Sequence, residues 1–430
     1  MNERSERAEV RAGVRAEVTA PVAEPGPQLS SGLGRLLAAL LPATTALYAL
    51  FQGTQLVLLP AQVQSLAPDS KVGSLALITT VSAIAGLVGL PLGGSVSDRT
   101  RSRFGRRSPW LAVSSLVCAG LLLAMGSSTG LAMLAVTYTL LMSASNFYQG
   151  ALTAIVPDRV PTHRRGTASA AIGMGIPLGT LVGVNLAGHL SPLKADLCIA
   201  VLLVATTLLL VFAAREEPSI AAGAPVTHER GGVRTYLLAF RNRDFTLAFV
   251  GRAGLFLSWF TVTGYLFYIL ADHIGTARLP GGDVAGAVSL LATISVIASF
   301  ASTLTGLVAD RLDRRKAIAA SSSFGLGLSM LVPAFSPTWP AMLVFAGLSG
   351  TFLGAYMAVD LALMSLVLPD RHSAGRDFGI LAAATNIPLV LSTPLAGLLI
   401  TTLGYPALFG FGVVAAAASG IALLGVRSVR

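Results

Sequence analysis

Charge is what this sequence has least of. Only 12% of its 430 residues are Asp, Glu, Lys or Arg, against about a quarter in a soluble protein of this size. Those charges are bunched, and between them run long uncharged stretches rich in Leu, Ala, Val and Gly. Cysteine is nearly absent as well. Cys118 and Cys198 both fall in apolar stretches, which argues against a disulfide framework and leaves them as small packing residues. There is no Gly-x4-Gly-Lys-Ser/Thr run, so nothing cradles a nucleotide phosphate and ATP is not the expected energy source. No cluster of His, Asp or Cys has catalytic or metal-ligand spacing. His189 and His273 read as interface residues, and Met142, Met174 and Met330 as packing rather than a metal path. Neither an enzyme, a cofactor nor a metal is expected.

What is present is hydrocarbon. About 20 helical residues cross a bilayer core, and backbone placed there must be helical or part of a closed barrel. The stretches lack the strict alternation of barrel strands, so helices are expected. Twelve spans emerge, at 36–61, 73–97, 109–128, 130–155, 167–190 and 196–213, then 244–271, 284–308, 317–335, 340–367, 378–403 and 406–426. The fold class is therefore an all-α integral membrane protein. The net charge of +10 does not point to nucleic acid, because it is spread along one side of the spans. Of thirty Lys and Arg, only Lys71, Lys194 and Arg278 lie in one set of alternating loops and Arg252 lies inside a span. The other twenty-six occupy the opposite loops and the tails, which predicts that both termini are cytoplasmic in a cell membrane. Residues 1–32 carry no cleavable-signal pattern and read as a disordered tail.

The sequence also repeats. Gly94-Ser-Val-Ser-Asp98-Arg99 returns as Gly306-Leu-Val-Ala-Asp310-Arg311, 212 residues on. Pro157-Asp158-Arg159 and Pro369-Asp370-Arg371 keep the same offset, as do Arg164 and Arg376. Internal duplication in an apolar chain is a signature of transporters. The longest internal polar stretch, 214–243, separates six spans (33–213) from six spans (244–430). It reads as a cytoplasmic linker between two bundles.

Six plus six helices with a parallel repeat resembles the major facilitator superfamily. The run Gly94…Asp98-Arg99-Thr-Arg101-Ser-Arg103-Phe-Gly105-Arg106-Arg107-Ser-Pro109-Trp110 is similar to that family's loop between helices 2 and 3. Its extended form, with Val359-Asp360-Leu-Ala362 through Gly379 and Val156-Pro-Asp158 through Ser169, resembles the glycoside–pentoside–hexuronide and sucrose-type branch. The resemblance implies two pseudo-symmetric bundles, a central cavity lined by helices 1, 4, 7 and 10, and loop contacts that latch the halves. There are departures. The acids that bind sodium on helix 2 in sodium-coupled members are missing from 73–97. Leu361 and Leu366 stand where related sequences are often polar, implying a greasier site.

Candidate residues follow. Gly94, Asp98, Arg99, Gly105, Arg106 and Arg107, with Gly306, Asp310 and Arg311, form the expected gating latch. A carboxylate at Asp98 could accept from amides at a helix N-terminus, and the starts of helices 5 and 11, near Thr167 and Asp377, are the expected partners. Arg252 and Asp360 each lie eight residues into their spans from the same face, roughly 12 Å deep. An unpaired ion at that depth costs at least about 2.5–3.5 kcal/mol, so the two are expected to interact, directly or through water. Asp360 is then the candidate proton acceptor, with Arg252 modulating it; a static structural pair is the alternative. Tyr48, Gln52, Gln55, Asn146, Gln149, Trp259, Tyr265, Tyr268 and Tyr356 are candidates for the cavity wall, since amides suit hydroxyl recognition and aromatic faces suit a sugar ring. Gly173, Gly175, Pro177 and Gly179 fit close helix packing as well as an antiporter pattern. The expected function is secondary transport of a sugar-like or glycosylated small molecule, proton-coupled, by a monomer in the lipid bilayer. Proton-driven export of an amphipathic compound is the alternative, and a transport-inactive sensor or scaffold the alternative of another class.

Overall fold

Twelve long helices hold most of the described residues in a computed structural model that describes residues 28–161, 164–216, 239–302, 314–367 and 374–427. Among these residues all regular structure is helical. The helices are α1 (Leu33–Leu66), α2 (Lys71–Arg99), α3 (Ser108–Gly126), α4 (Leu131–Thr153), α5 (Arg165–His189) and α6 (Pro192–Ala213). The second half holds α7 (Arg243–Thr263), α8 (Val284–Ser302), α9 (Arg315–Phe335), α10 (Trp339–Leu366), α11 (Ala374–Leu403) and α12 (Pro406–Leu424). All twelve are long and apolar enough to span a bilayer.

Local chemistry sets the ends. Proline in the first turn opens α3, α6, α10 and α12, where its missing N–H costs nothing. Asn242 caps α7 by accepting from the amides of Asp244 and Phe245, and Thr338 caps α10 by accepting from Ala341 N. Two spans differ from the sequence expectation. α1 runs through to Leu66 and takes a π-helical turn at Thr54–Leu58. The seventh span does not run unbroken to 271. Its α-helix stops at Thr263, after the β-branched run Thr261-Val262-Thr263 and at Gly264, and the chain continues as a short turn, Leu266–Tyr268, and a π-helix, Ile269–Gly275.

The packing pattern repeats when helix number is advanced by six. α1 packs on α5 as α7 packs on α11, α2 on α4 as α8 on α10, α3 on α6 as α9 on α12, and α1 on α6 as α7 on α12. The two most extensive contacts that join the halves, α2–α11 and α5–α8, exchange under the same operation. Burial repeats at the 212-residue offset of the loop motifs: Leu36 and Ala248, Ala43 and Leu255, Ala46 and Ser258, Leu50 and Val262 are all buried pairs. The architecture is two pseudo-symmetric six-helix bundles. Within a bundle, glycine allows the closest approaches. A Cβ on Gly179 or Gly183 would run into the backbone of Thr45 or Ala49 on α1. Gly173, by contrast, faces open space.

Candidate functional site

One face of the molecule, called here the basic face, carries the loop between α2 and α3. At its centre Arg107 is 3% exposed, and its guanidinium is fully engaged. Nε and Nη2 meet Asp158 Oδ2 at 2.8 and 2.7 Å, Nη1 donates to Ser97 Oγ at 2.6 Å, and Nη2 reaches Asp98 Oδ1 at 2.6 Å. Arg106 adds a bond to Asp158 at 2.9 Å. Asp98 therefore binds its own bundle's arginine rather than amides near Thr167 in this conformation. The carboxylate that does serve a helix N-terminus is Glu216, beyond α6, which accepts from the amides of Arg107 and Ser108 at 2.8 and 3.1 Å. Gly105 makes this possible: its φ is +92°, and a Cβ there would strike the Glu216 side chain. Arg99 is exposed and Gly94 faces open space. Gly306, Asp310 and Arg311 lie outside the described residues, as does the Asp377 side chain.

The two intramembrane charges are in direct contact. Arg252 Nη1 on α7 lies 3.0 Å from Asp360 Oδ2 on α10. Arg252 Nε donates to Thr385 Oγ1 on α11 at 3.1 Å, and the guanidinium lies 5.7 Å from the Phe256 ring centroid. The Asp360 side chain is 8% exposed and that of Arg252 is 19%. Tyr356, fully buried, lies one turn before Asp360, near enough for the two side chains to interact. Asp360 Oδ1 and Tyr356 Oη are both buried without a hydrogen bond of good geometry. A buried carboxylate with one oxygen paired and one open can gain or lose a proton at the open oxygen while the arginine holds the other.

The remaining cavity candidates divide. Gln149 Nε2 donates to Tyr48 Oη at 3.2 Å, and Gln52 Nε2 to Thr180 Oγ1 at 3.3 Å, linking α1 to α4 and to α5 through half-buried amides. Gln55 is half-buried in the π turn. Asn146 instead bonds its own helix at Met142 O and fills the space beside Gly86 on α2. Trp259 is half-buried against the core. Tyr265 and Tyr268 are fully buried at the end of the molecule opposite the basic face. Leu366 is 49% exposed.

At that opposite face the two bundles are fastened together. Tyr265 donates to Val72 O at 3.1 Å and Tyr268 to Pro60 O at 3.1 Å, both across the seam. Lys71 Nζ is 2.7 Å from Asp272 Oδ1 and 5.2 Å from the Tyr268 ring centroid, and Tyr405 donates to Asp272 Oδ2 at 2.5 Å. Between α5 and α8, Asn185 donates to Thr293 and accepts from Ser289 at 3.0 and 3.1 Å. Between described residues, the hydrogen bonds and ion pairs that link the halves all belong to this seam. Sequence reasoning placed the tyrosines in the cavity because it continued the seventh helix; the break at Gly264 carries them into the seam. It passed over Asp272, Tyr405 and Glu216, and treated Lys71 only as a loop charge. The one available signal was that Lys71 is a rare cation on a face almost free of them.

Among the described residues, no group of His, Cys, Asp and Glu could hold a metal ion. Both cysteines are free thiols, Cys118 buried and Cys198 exposed.

Fold and repeat together define a two-bundle, multi-pass membrane protein. The family comparison agrees: the Major Facilitator Superfamily matches residues 42–303 and 281–430, and the chain belongs to it. It is a multi-pass membrane transporter and not an enzyme. Among solved structures it is similar to a bacterial homologue of the human lysosomal transporter Spinster, in an inward-facing and unoccupied conformation. The TM-score is 0.59 at 12% identity, covering 94% of this chain and 95% of that one, which is a likeness of fold. A comparison with curated proteins gives no match.

Proposed function

We propose that the protein is a proton-coupled secondary transporter of a sugar-like or glycosylated small molecule, working as a monomer by alternating access in the cytoplasmic membrane with its basic face inside. The observation that carries the coupling is the Arg252–Asp360 pair, a carboxylate at 3.0 Å from its counter-ion with its second oxygen open. A proton arriving past Arg252, the more exposed partner, neutralises Asp360 and frees the guanidinium to move. Transport requires that proton and substrate favour the two bundle arrangements differently. The hydroxyl-compatible wall is on the other bundle, where Tyr48, Gln149, Gln52 and Thr180 offer amides and hydroxyls without charge. The fastened seam opposite the basic face supports a reading in which the basic face exchanges substrate in this arrangement. The loop latch around Asp98 would act in the reverse arrangement, when the basic face closes.

The test begins with a thermal-shift panel of glycosides, since a ligand that binds only the folded protein raises its melting temperature. A compound that stabilises the protein is then added to proteoliposomes holding a trapped pH dye. The wild-type protein should move protons when that compound is added, and Asp360→Asn should bind it yet move none. Proton movement retained in Asp360→Asn would remove Asp360 as the coupling group. Counterflow of the labelled compound separates transport from a sensor or scaffold, which would bind without exchange. Proton-driven export of an amphipathic compound is the second reading. It is favoured by the exposed Leu366 and by an α2 with no acid before Asp98, and vesicles of opposite orientation distinguish it by the sign of substrate flux.

A further inference from the structure

A groove of about 740 Å³ lies on the outer surface of the first bundle, between α2, α3 and α4. Small residues such as Ala85, Gly89 and Ala144 form its floor, and Leu92, Val117 and Phe147 its walls. Val88, Leu92, Val113, Val117 and Leu140 are all about half exposed along it, which suits a surface meant for hydrocarbon rather than water. Along α3 the groove extends from Trp110 to Leu121. Eleven residues at 1.5 Å each span about 16 Å, close to half of a ~30 Å bilayer core. The groove is therefore one leaflet long, and it opens at the basic face.

Its mouth is the arginine-rich loop. Trp110 Nε1 donates to Thr100 Oγ1 at 2.6 Å and its ring meets Phe147 edge-on at 5.7 Å, so the indole stands between loop and groove. Of the loop's arginines, Arg106 and Arg107 are paired with Asp98 and Asp158. Arg99 and Arg103 are exposed, and among the described residues no carboxylate pairs with either. Arg103 lies 4.7 Å from the ring centroid of Phe104, itself 60% exposed. Two exposed cations with no carboxylate partner among the described residues thus lie on the loop that leads into Trp110, at the basic-face end of an apolar slot.

We propose that this groove holds one acyl chain of an anionic phospholipid from the basic-face leaflet, with the lipid phosphate bound by Arg99 and Arg103. The chemistry is complementary at both ends: hydrocarbon against an apolar slot of leaflet length, and a negative phosphate against two guanidiniums.

The protein has three tryptophans, and Trp110 lines the groove, which gives a direct readout. The full chain carrying Trp259→Phe and Trp339→Phe keeps Trp110 as its only indole. It is reconstituted in vesicles containing either phosphatidylglycerol or phosphatidylcholine with brominated acyl chains, whose bromines quench tryptophan on contact. Quenching should show a preference for the anionic lipid of up to roughly thirtyfold, the effect expected for two basic residues at a membrane surface. Adding Arg99→Gln and Arg103→Gln should bring that preference close to one while leaving quenching itself in place. Val117→Phe, which fills the slot, should weaken quenching by both lipids. Equal quenching by the two lipids in the Trp110-only protein would overturn the proposal, as would a preference that survives loss of both arginines. All of the added substitutions are at exposed positions, so folding is retained and is verified by an unchanged gel-filtration profile.

Discussion

Replacing Lys71 with alanine should unfasten the seam opposite the basic face, and the size of the effect follows from its contacts. Lys71 joins the bundles through an ion pair to Asp272 at 2.7 Å, with the two side chains 18% and 32% exposed. A pair so open to water is worth about 0.2–1 kcal/mol. The ammonium also stands 5.2 Å from the centroid of Tyr268, and such a cation–π contact adds about 0.5–1 kcal/mol. Together they give about 1–2 kcal/mol, or roughly a 5- to 30-fold change in the ratio of fastened to open forms. The bond from Tyr405 to Asp272 lies within the second bundle, so it positions the carboxylate but does not break when the seam parts. The assay is the labelling rate of a cysteine placed at Ala76, which faces Gly397 across the α2–α11 contact, in a Cys198→Ser background. Lys71→Ala should raise that rate by the stated factor. Asp272→Asn should raise it by less, because the cation–π contact survives. The double variant should match Lys71→Ala, since nothing is left for Asp272 to hold. Raising ionic strength should speed labelling in the parent and leave Lys71→Ala nearly unchanged. A labelling rate that does not respond to Lys71→Ala would refute the assignment of this ion pair as a fastening between bundles.

Other substitutions separate structural from surface charges. Arg107→Ala should cost about 3–5 kcal/mol of stability, because it strips the buried partner from Asp98, Asp158 and Ser97 at once. Arg106→Ala, which removes one partly exposed pair, should cost about 0–1 kcal/mol in the same thermal-denaturation series. Asp196 on α6 is completely buried, and neither carboxylate oxygen has a hydrogen bond. Asp196→Ala should therefore stabilise the protein by about 1–3 kcal/mol less the cost of a small void, read as a raised melting temperature. His273 sits against Tyr405 and Phe409 with Nε2 buried and unbonded, and burial lowers its pKa below the usual 6.5. With the folded pKa depressed, the unfolded state binds the proton more readily. Stability should be full above about pH 6.5 and should decline as pH falls from there towards the folded-state pKa; His273→Phe should remove that part of the decline.

Several features of this molecule are plain in its sequence because they depend on single, local facts. A charge within an apolar run must be paired, and that requirement singled out Arg252 and Asp360 at equal depth on two helices. Twelve spans follow from hydropathy, and the duplication from one repeated offset. The hub at the basic face was not legible to the same degree. Five arginines lie between 99 and 107, and sequence treats them alike; only the fold buries Arg107 and leaves Arg99 exposed. Glu216 could not be assigned either, because its role depends on the end of α6 returning to the start of α3. Tyr265 and Tyr268 depend on where α7 stops. A helix continued to 271 would direct them by its 3.6-residue period, whereas the break at Gly264 and Tyr265 interrupts that period.

The repeat that reveals the fold also shows where the two halves have diverged. Shifted by 212 residues, Arg252 corresponds to Leu40 and Asp360 to Tyr148. Both counterparts are fully buried, and Tyr148 meets Thr207 at 2.9 Å within its own bundle. The second bundle therefore carries an ion pair at positions where the first carries an ordinary core. The reverse holds at the basic face, where the counterpart of Arg107 is Ala319, buried and uncharged. Pseudo-symmetric packing lets each half form the same scaffold and move as a body, while chemistry is confined to one member of each pair of positions. A carrier built this way places its ionisable pair in one bundle and its uncharged amides, Gln52 and Gln149, in the other. Substrate held between them would feel the bundles move apart, and the proton would act on only one of the two walls. If the ion pair were merely structural, moving it should be harmless. Exchanging the pair as Arg252→Asp with Asp360→Arg keeps the contact and reverses its polarity, and Arg252→Leu with Asp360→Tyr copies the first bundle's core. Stability near that of the parent in both, with substrate-driven proton movement lost in both, assigns the pair to coupling; proton movement retained in the Leu–Tyr variant assigns it to packing alone.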